Sequence, residues 1–203
     1  MGTRPYVALT FVVFLACVTF SAFAQVVPAA TEGKSPWAIG AGISGYNPDY
    51  EHGHLLGGTV WIDYTLSRVP SLLQGLAVEA EARDLNYDRT APEESALRQD
   101  TAGGGVIYSW RHFVKFHPYA KLFEEYGNTD YGSKSGLRGH DSRNFLGGGG
   151  GVEYRVMPRV WLRADYEYQS WPDFFKSTVP AGRLNPQGFT VGAIYHFSRP
   201  RFH

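Results

Sequence analysis

Apolar side chains recur at every second position in a series of short segments between residues 36 and 197. Residues 76–83 read LAVEAEAR and residues 160–169 read VWLRADYEYQ, so apolar and polar side chains alternate in both segments. A repeat of two is that of a β-strand whose faces meet different surroundings. Since no segment after residue 25 has the spacing of an amphipathic helix, we predict an all-β chain.

Eight segments carry this pattern, and the links between them alternate in length. The predicted strands are 36–47, 55–66, 75–87, 100–111, 118–127, 143–155, 159–170 and 187–197. The long, polar links are 48–54, 88–99, 128–142 and 171–186, and the short ones are 67–74, 112–117 and 156–158. Long outer loops and short periplasmic turns give a transmembrane barrel this alternation. We therefore predict an eight-stranded antiparallel up-and-down transmembrane β-barrel over residues 36–197, with both termini in the periplasm.

Residues 1–24 have the parts of a secretory signal peptide. Arg4 gives a basic start, residues 6–23 form an apolar run, and Ala22 and Ala24 place small side chains two positions apart at the end of the run. We predict that the signal peptide is cleaved after Ala24, which would export the barrel to the outer membrane of a Gram-negative bacterium.

Two alternatives to cleavage stay open. The apolar run is about long enough to remain in a membrane as a helix. Cys17, the single cysteine of the chain, lies in the run where a lipoprotein signal would carry its lipidated cysteine. Removal of residues 1–24 would leave no cysteine, so disulfides would not stabilise the barrel.

Short segments flank the predicted barrel. Residues 25–35 form a periplasmic lead that contains Pro, Ala and Thr, and residues 198–203 form a short C-terminal tail. The whole chain has 19 basic and 19 acidic residues. Since this balance does not call for a polyanionic partner, we predict no nucleic acid among the partners.

Aromatic residues occur where the apolar faces of the strands would meet the membrane interfaces. Aromatic rings favour these depths, and transmembrane barrels carry a girdle of them at each interface. The predicted girdle comprises Trp37, Tyr64, Trp110, Tyr154, Tyr168 and Trp171, with Tyr46 also at the outer rim. The alternative is that these aromatic residues belong to the core of a soluble sheet protein.

Charged residues lie on the opposite face of the strands, which would point into the barrel. An eight-stranded barrel is only wide enough inside to be filled by side chains. The predicted lumen network comprises Asp63, Glu79, Glu81, Arg83, Lys121, Glu125, Glu153, Arg163, Asp165 and Glu167. Because buried charges persist only when they are paired or hydrated, we expect ion pairs and trapped water. Seven acids against three bases leave a second interpretation open, that the lumen binds or conducts cations.

Two glycine-rich stretches have structural explanations. In residues 147–151, five consecutive glycines would leave room inside the barrel for Trp61 or for the long charged side chains. Residues 40–45 match the G-x-G-x-x-G spacing of a dinucleotide site, but Pro48 follows instead of a helix. We therefore predict no bound cofactor.

His52 and His54 have the spacing of a possible metal pair, with Asp49 and Glu51 nearby. An exposed polar loop explains this composition as well, so we predict no metal.

Three stretches near the C-terminus carry a resemblance to a known family. Residues 149–158, 160–168 and 188–197 resemble the small outer-membrane barrels related to the OmpA transmembrane domain and the opacity-type surface proteins. The resemblance implies that Tyr195 and Phe197 form the aromatic signal that the barrel assembly machinery reads. The tail after Phe197 is a departure, because that signal normally closes the chain.

His140 and Ser142 resemble the His-x-Ser of the lipid A deacylases, a resemblance that would imply an enzymatic site. Glu153 would supply the acid, but a strand of 3.3 Å per residue places it about 35 Å from Ser142. We therefore predict no catalytic residues. The expected function is structural or surface-interacting, with outer-membrane lipids as partners and no ligand assigned to the four outer loops. The alternatives are a narrow channel for cations or small solutes and, less favoured, a lipid A-modifying enzyme.

Overall fold

The computed structural model describes residues 35–49, 54–87, 98–132, 138–174 and 182–197. The predicted signal peptide, residues 25–34 of the lead and the tail 198–203 lie outside the described residues. Among the described residues, no helix is long and apolar enough to cross a membrane.

Nine β-strands make up nearly all of the described chain. They are β1 (Trp37–Asn47), β2 (Leu55–Thr65), β3 (Leu76–Tyr87), β4 (Arg98–Ser109), β5 (Phe116–Gly132), β6 (Arg138–Arg155), β7 (Val160–Phe174), β8 (Gly182–Leu184) and β9 (Gln187–His196). One turn of 3-10 helix, Ser71–Leu73, lies in the link between β2 and β3.

Eight of the strands close into a barrel. Strands β1 to β7 pair antiparallel in chain order, and β9 pairs with both β7 and β1, which closes the ring. The short β8 pairs with the end of β7 beyond Tyr168, where Trp171 opposite Leu184 continues the register of the β7–β9 pairing. The predicted eight-stranded antiparallel barrel is confirmed. We call the end that holds the links 66–75, 110–115 and 156–159 the short-turn end, and the opposite end the long-loop end.

The strands β5 and β6 are the two longest, with 17 and 18 residues. Their pairing runs without a break from Phe116 opposite Tyr154 to Gly132 opposite Arg138. The predicted link 128–142 is therefore wrong over most of its length. The extension was hidden in the sequence because the alternation of apolar residues stops at Asn128 on β5 and begins only after Ser142 on β6.

The two faces of the barrel wall have opposite character. Outward-facing Ile43, Leu122 and Val191 keep 66%, 68% and 62% of their surface exposed. Inward-facing side chains are buried, and the largest fully buried ones include Trp161, Arg163 and Trp171. An apolar surface of this extent needs a cover, and in a barrel of this kind the cover is lipid.

Candidate functional site

The barrel interior contains every residue of the predicted lumen network. Each of the ten side chains faces inward and is buried, and the most exposed of them, Glu81, keeps 8% of its surface. The positions alternate along β2, β3, β5, β6 and β7, so the strand repeat that the sequence displays places all ten charges on the inner face.

Arg163 on β7 bridges carboxylates from three strands. Its Nη1 binds the carboxylate of Glu79 on β3, and its Nε lies 3.1 Å from Asp165 Oδ2. Asp63 on β2 lies 3.8 Å away. The guanidinium also covers the ring of Trp61 at 4.8 Å, a favourable cation–π distance. Arg163 therefore links opposite sides of the interior.

Lys121 on β5 occupies the middle of the network. Its ammonium lies 3.2 Å from Glu81 and 3.7 Å from both Glu79 and Asp165, and it binds the carboxylate of Glu167. A single cation shared by four acids reduces the repulsion among them, which matters because the interior is a poor solvent for charge.

Arg83 on β3 completes the network toward the long-loop end. Its Nη2 binds Glu81 and lies 2.8 Å from Glu167, while its Nε donates to Thr59 over 3.3 Å. The hydroxyl of Tyr46 donates to Glu167 as well. Cations on β3, β5 and β7 thus tie together acids on strands that are not neighbours, so the charges brace the barrel across its interior.

Some buried acid oxygens find no protein partner. In the part of the chain that the structure describes, Asp63 Oδ1 and Glu125 Oε2 make no hydrogen bond to another residue. Buried polar atoms of this kind are ordinarily hydrated by internal water, so the excess of acids calls for trapped water between the side chains.

Aromatic side chains close the interior at the long-loop end. The rings of Phe145 and Trp171 stack at 4.4 Å with 11° between their planes, and Phe123 meets Phe145 edge-on at 6.4 Å. The indole of Trp171 donates to Gln169 over 2.9 Å. We name Phe123, Phe145 and Trp171 the outer plug.

The girdle prediction is wrong for Trp171 and for Tyr46. Trp171 keeps 1% of its surface and Tyr46 keeps 2%, both inside the barrel. The sequence interpretation ended a strand at residue 170, whereas β7 continues to Phe174. The strand repeat therefore extends to Trp171 and turns its side chain inward. Tyr46 lies within the predicted strand 36–47, and its side chain points inward because it is two positions beyond the buried Ser44.

Aromatic side chains also close the short-turn end. Trp61 and Trp161 pack with Ala38 and Ile194 in one buried cluster. Imidazole rings lie against this cluster, with His117 at 4.6 Å and His196 at 5.1 Å from the Trp161 ring. We name Trp61 and Trp161 the inner plug. Along β7, the charged residues Arg163, Asp165 and Glu167 therefore lie between Trp161 of the inner plug and Trp171 of the outer plug.

The other predicted girdle residues lie on the outer face. Trp37, Tyr64, Trp110, Tyr154 and Tyr168 keep between 38% and 48% of their surface exposed. Trp37 and Tyr64 contact each other edge-on at 4.8 Å across β1 and β2. Tyr195 and Phe197 lie on the same face and contact at 5.4 Å.

The sequence of this barrel was compared with models of known protein families. The family model described as outer membrane protein beta-barrel domain matches residues 12–197 of the chain. The chain belongs to this family. The predicted resemblance to small outer-membrane barrels is therefore confirmed.

Solved outer-membrane proteins have the same fold. Neisserial surface protein A is 15% identical with a TM-score of 0.61, over 81% of this chain and 99% of that one. OprG from Pseudomonas aeruginosa is 13% identical with a TM-score of 0.54, over 82% and 99%. Ail, the attachment invasion locus protein of Yersinia pestis, is 16% identical with a TM-score of 0.50, over 78% and 95%. These similarities show the fold alone. No curated protein matches the chain.

Glycines on the inner face of this outer-membrane barrel make room for the network. A Cβ atom on Gly149 would collide with the backbone of Tyr166 and lie 3.2 Å from the Glu167 side chain. A Cβ on Gly151 would collide with residues 164 and 165, and one on Gly147 with the ring of Phe123. The glycine run of β6 thus accommodates the acids of β7 and the outer plug, whereas Trp61 lies against Gly40 and Gly192 instead.

An acidic residue other than Glu153 lies beside the His140–Ser142 pair. Glu153 faces the lumen and is far along β6 from Ser142, but Asp130 on β5 lies directly opposite His140. His140 Nδ1 is 2.6 Å from Asp130 Oδ1, and its Nε2 is 3.3 Å from Ser142 Oγ. Asp130 could not be found from the β6 sequence alone, because the acid belongs to the adjacent strand β5.

The row of hydrogen-bonded side chains formed by Asp130, His140 and Ser142 is exposed to water. The side chains of Asp130 and His140 keep 55% and 60% of their surface, and Ser142 Oγ lies 3.2 Å from Asn128 Oδ1 as well as near His140. Water competes for hydrogen bonds at such sites, and an activated serine requires a base held firmly by its surroundings.

Several lumen residues were not anticipated from the sequence. Tyr119 donates its hydroxyl to Asp165 over 2.6 Å, and Gln99 donates to Gln169 over 3.3 Å. Each occupies an inward position of its strand, so extending the strand repeat beyond the charged residues would have found them.

Proposed function

We propose that the chain is a non-enzymatic outer-membrane barrel that strengthens the membrane and presents its long-loop end for surface contacts. The observation that carries the proposal is the filled interior, which holds a buried charge network together with the aromatic rings of the outer plug and the inner plug. A filled interior makes the barrel a rigid support instead of a water-filled pore. Export by the signal peptide 1–24, a Gram-negative host and kinship with the OmpA and opacity-type barrels are parts of this proposal.

The orientation follows from the lengths of the links. We place the short-turn end and both termini in the periplasm and the long-loop end outside the cell, as in bacterial outer-membrane barrels. The β5–β6 hairpin then projects beyond the outer leaflet. Its base continues a polar surface in which Arg98 lies 3.0 Å from Asp84 and 3.1 Å from Asp100. A rigid, hydrogen-bonded hairpin is a suitable platform for a surface contact because little order is lost on binding.

Tyr195 and Phe197 are proposed as the signal for the barrel assembly machinery. Both side chains face outward at the short-turn end of the last strand, with 39% and 48% of their surface exposed. An assembly factor that meets the unfinished barrel from the periplasm would reach them there, despite the residues that follow.

A narrow cation channel is the second candidate, and the seven acids among ten lumen charges favour it. A filled structural barrel would not conduct ions across a bilayer, whereas a cation channel would. Refolded protein in a planar bilayer is expected to show no steady conductance, and Glu79→Gln and Glu81→Gln are expected to leave it unchanged. The double variant Trp61→Ala/Trp171→Ala is the positive control, since it removes a ring from each plug and should raise the current. Steady cation-selective conductance of the parent protein that changes in either glutamine variant would establish the channel instead.

The absence of serine hydrolase activity is tested at Ser142. A fluorophosphonate probe, which labels activated serines covalently, is expected to label the parent protein and Ser142→Ala equally weakly. The physical reason is the exposure of Asp130 and His140, which leaves the serine no more nucleophilic than a serine in water. Strong labelling that disappears in Ser142→Ala, together with loss of an acyl chain from lipid A on expression, would show that the protein is an enzyme.

A further inference from the structure

The short-turn end has a basic rim. The described turns 66–75, 110–115 and 156–159 contain four cationic side chains and no acidic one: Arg68, Arg111, Lys115 and Arg159. Arg68, Lys115 and Arg159 are exposed. The same turns expose apolar side chains, with 80% of Leu72, 54% of Phe113 and 58% of Met157 accessible. We name Arg68, Lys115, Arg159, Leu72, Phe113 and Met157 the basic collar.

Contacts hold two of these turns against the lipid-facing wall. The hydroxyl of Tyr108, on the outer face of β4, donates to the carbonyl of Leu72 over 3.0 Å. The ring of Phe113 contacts Phe116, which faces outward at the start of β5, at 6.4 Å. The exposed apolar side chains of these turns therefore continue the lipid-facing surface below the girdle, where they reach the headgroup region of a bilayer.

Among the described residues, no acidic side chain pairs with the cations of the collar, whereas cations at the long-loop end have acidic partners. Arg98 lies 3.0 Å from Asp84, and Arg143 lies 3.2 Å from Asp141. In the collar, Arg159 instead donates over 3.4 Å to the uncharged hydroxyl of Tyr195. The positive charge of the collar is therefore uncompensated within the described turns. Because exposed apolar side chains lie beside these cations, the collar suits an amphipathic ligand with an anionic headgroup and apolar chains.

We propose that the basic collar binds the phosphate groups of anionic phospholipids in the inner leaflet of the outer membrane. Long basic side chains place their stems on apolar surface and their charged ends among headgroups. Each Lys or Arg near a membrane surface contributes about a fivefold preference for anionic lipid. The inference rests on the proposed orientation, which places the short-turn end at the inner leaflet.

Quenching of tryptophan fluorescence by brominated lipids measures the preference. In the Trp37→Phe background, Trp110 is the one tryptophan left at the lipid-facing surface, because Trp61, Trp161 and Trp171 are buried. Protein in phosphatidylcholine vesicles is titrated with brominated phosphatidylglycerol or brominated phosphatidylcholine. The expected phosphatidylglycerol preference is about fivefold or more, falls to about one in Arg68→Gln/Lys115→Gln/Arg159→Gln, and weakens in high salt.

A matched control removes three cations from the long-loop end, in Arg98→Gln/Arg143→Gln/Arg183→Gln, and should keep the preference. No preference in the background protein would overturn the proposal, as would a preference that survives in the collar variant or disappears equally in both variants. Binding of the solubilised protein to isolated peptidoglycan sacculi without a lipid preference would assign the collar to the cell wall. These outcomes are independent of the conductance test, so failure of this inference and failure of the sealed-barrel proposal are distinguishable.

Discussion

Replacement of Arg163 by methionine is expected to lower the free energy of unfolding by about 3–5 kcal/mol. Arg163 is fully buried and binds Glu79 and Asp165, with Asp63 at 3.8 Å. Methionine keeps much of the volume of the side chain but leaves these acids without their cation. Breaking a buried pair on one side is costly because the remaining charge has neither partner nor bulk water. Urea unfolding of the protein in lipid vesicles, followed by tryptophan fluorescence, measures the loss.

A matched variant separates buried from exposed charge. Arg98 also contacts two acids, but its side chain is 42% exposed, so Arg98→Met is expected to cost less than about 1 kcal/mol. Adding Glu79→Gln to Arg163→Met removes one of the uncompensated acids and should recover part of the loss. Equal costs for Arg163→Met and Arg98→Met would mean that the lumen network does not brace the barrel.

A valine at Gly149 is expected to destabilise the barrel by about 3 kcal/mol, at the upper end for an overpacked core. The added Cβ collides with the backbone of Tyr166 in the paired strand β7, which cannot move aside as a flexible side chain would. The readout is heat-modifiable migration on a gel, in which the folded band should disappear at a lower temperature than for the parent protein.

Gly58 provides the control on the opposite face. It is exposed on the lipid side of β2, and nothing lies within 4 Å of a Cβ atom built there. Gly58→Val should preserve the folded band at least to the parent temperature, because valine favours strands and its side chain meets only lipid. If Gly149→Val and Gly58→Val lose the folded band at the same temperature, glycine is required at both positions for its backbone conformation. The space that Gly149 leaves for the acids of β7 would then have no effect on stability.

The barrel could be predicted because the two-residue alternation of apolar and polar side chains indicates both where a strand lies and which way its side chains point. An alternation such as Val78 and Ala80 against Glu79 and Glu81 fixes both the strand and the face that each side chain occupies. All ten lumen charges could therefore be assigned to the inner face before any pairing was known. The register between strands, which brings Lys121 to four acids, could not be read because it depends on how distant segments align.

The predictions failed at the long-loop ends of the strands. Trp171 looked like an interfacial aromatic residue because a polar segment seemed to begin after residue 170, whereas β7 continues to Phe174 and turns the indole inward. The same cause hid the β5–β6 hairpin, in which polar side chains occupy both faces. Asp130 was missed for a different reason, because cross-strand neighbours are separated in sequence by the whole length of a hairpin.

The filled interior and the two ends of the barrel are proposed to have separate roles. The buried network and the plugs give the barrel stiffness, whereas any recognition takes place at the ends. The long-loop end presents the polar hairpin, and the short-turn end presents the basic collar. Both proposed roles depend on which end faces the outside of the cell.

Cysteine labelling in intact cells tests that orientation most directly, because the chain has a single natural cysteine, Cys17, inside the predicted signal peptide. His140 at the long-loop end and Ser71 at the short-turn end are both exposed and are replaced by cysteine in turn. A maleimide that cannot cross the outer membrane is expected to label His140→Cys in intact cells and Ser71→Cys only after lysis, with the parent protein as background. Labelling of Ser71→Cys but not His140→Cys in intact cells would contradict the account.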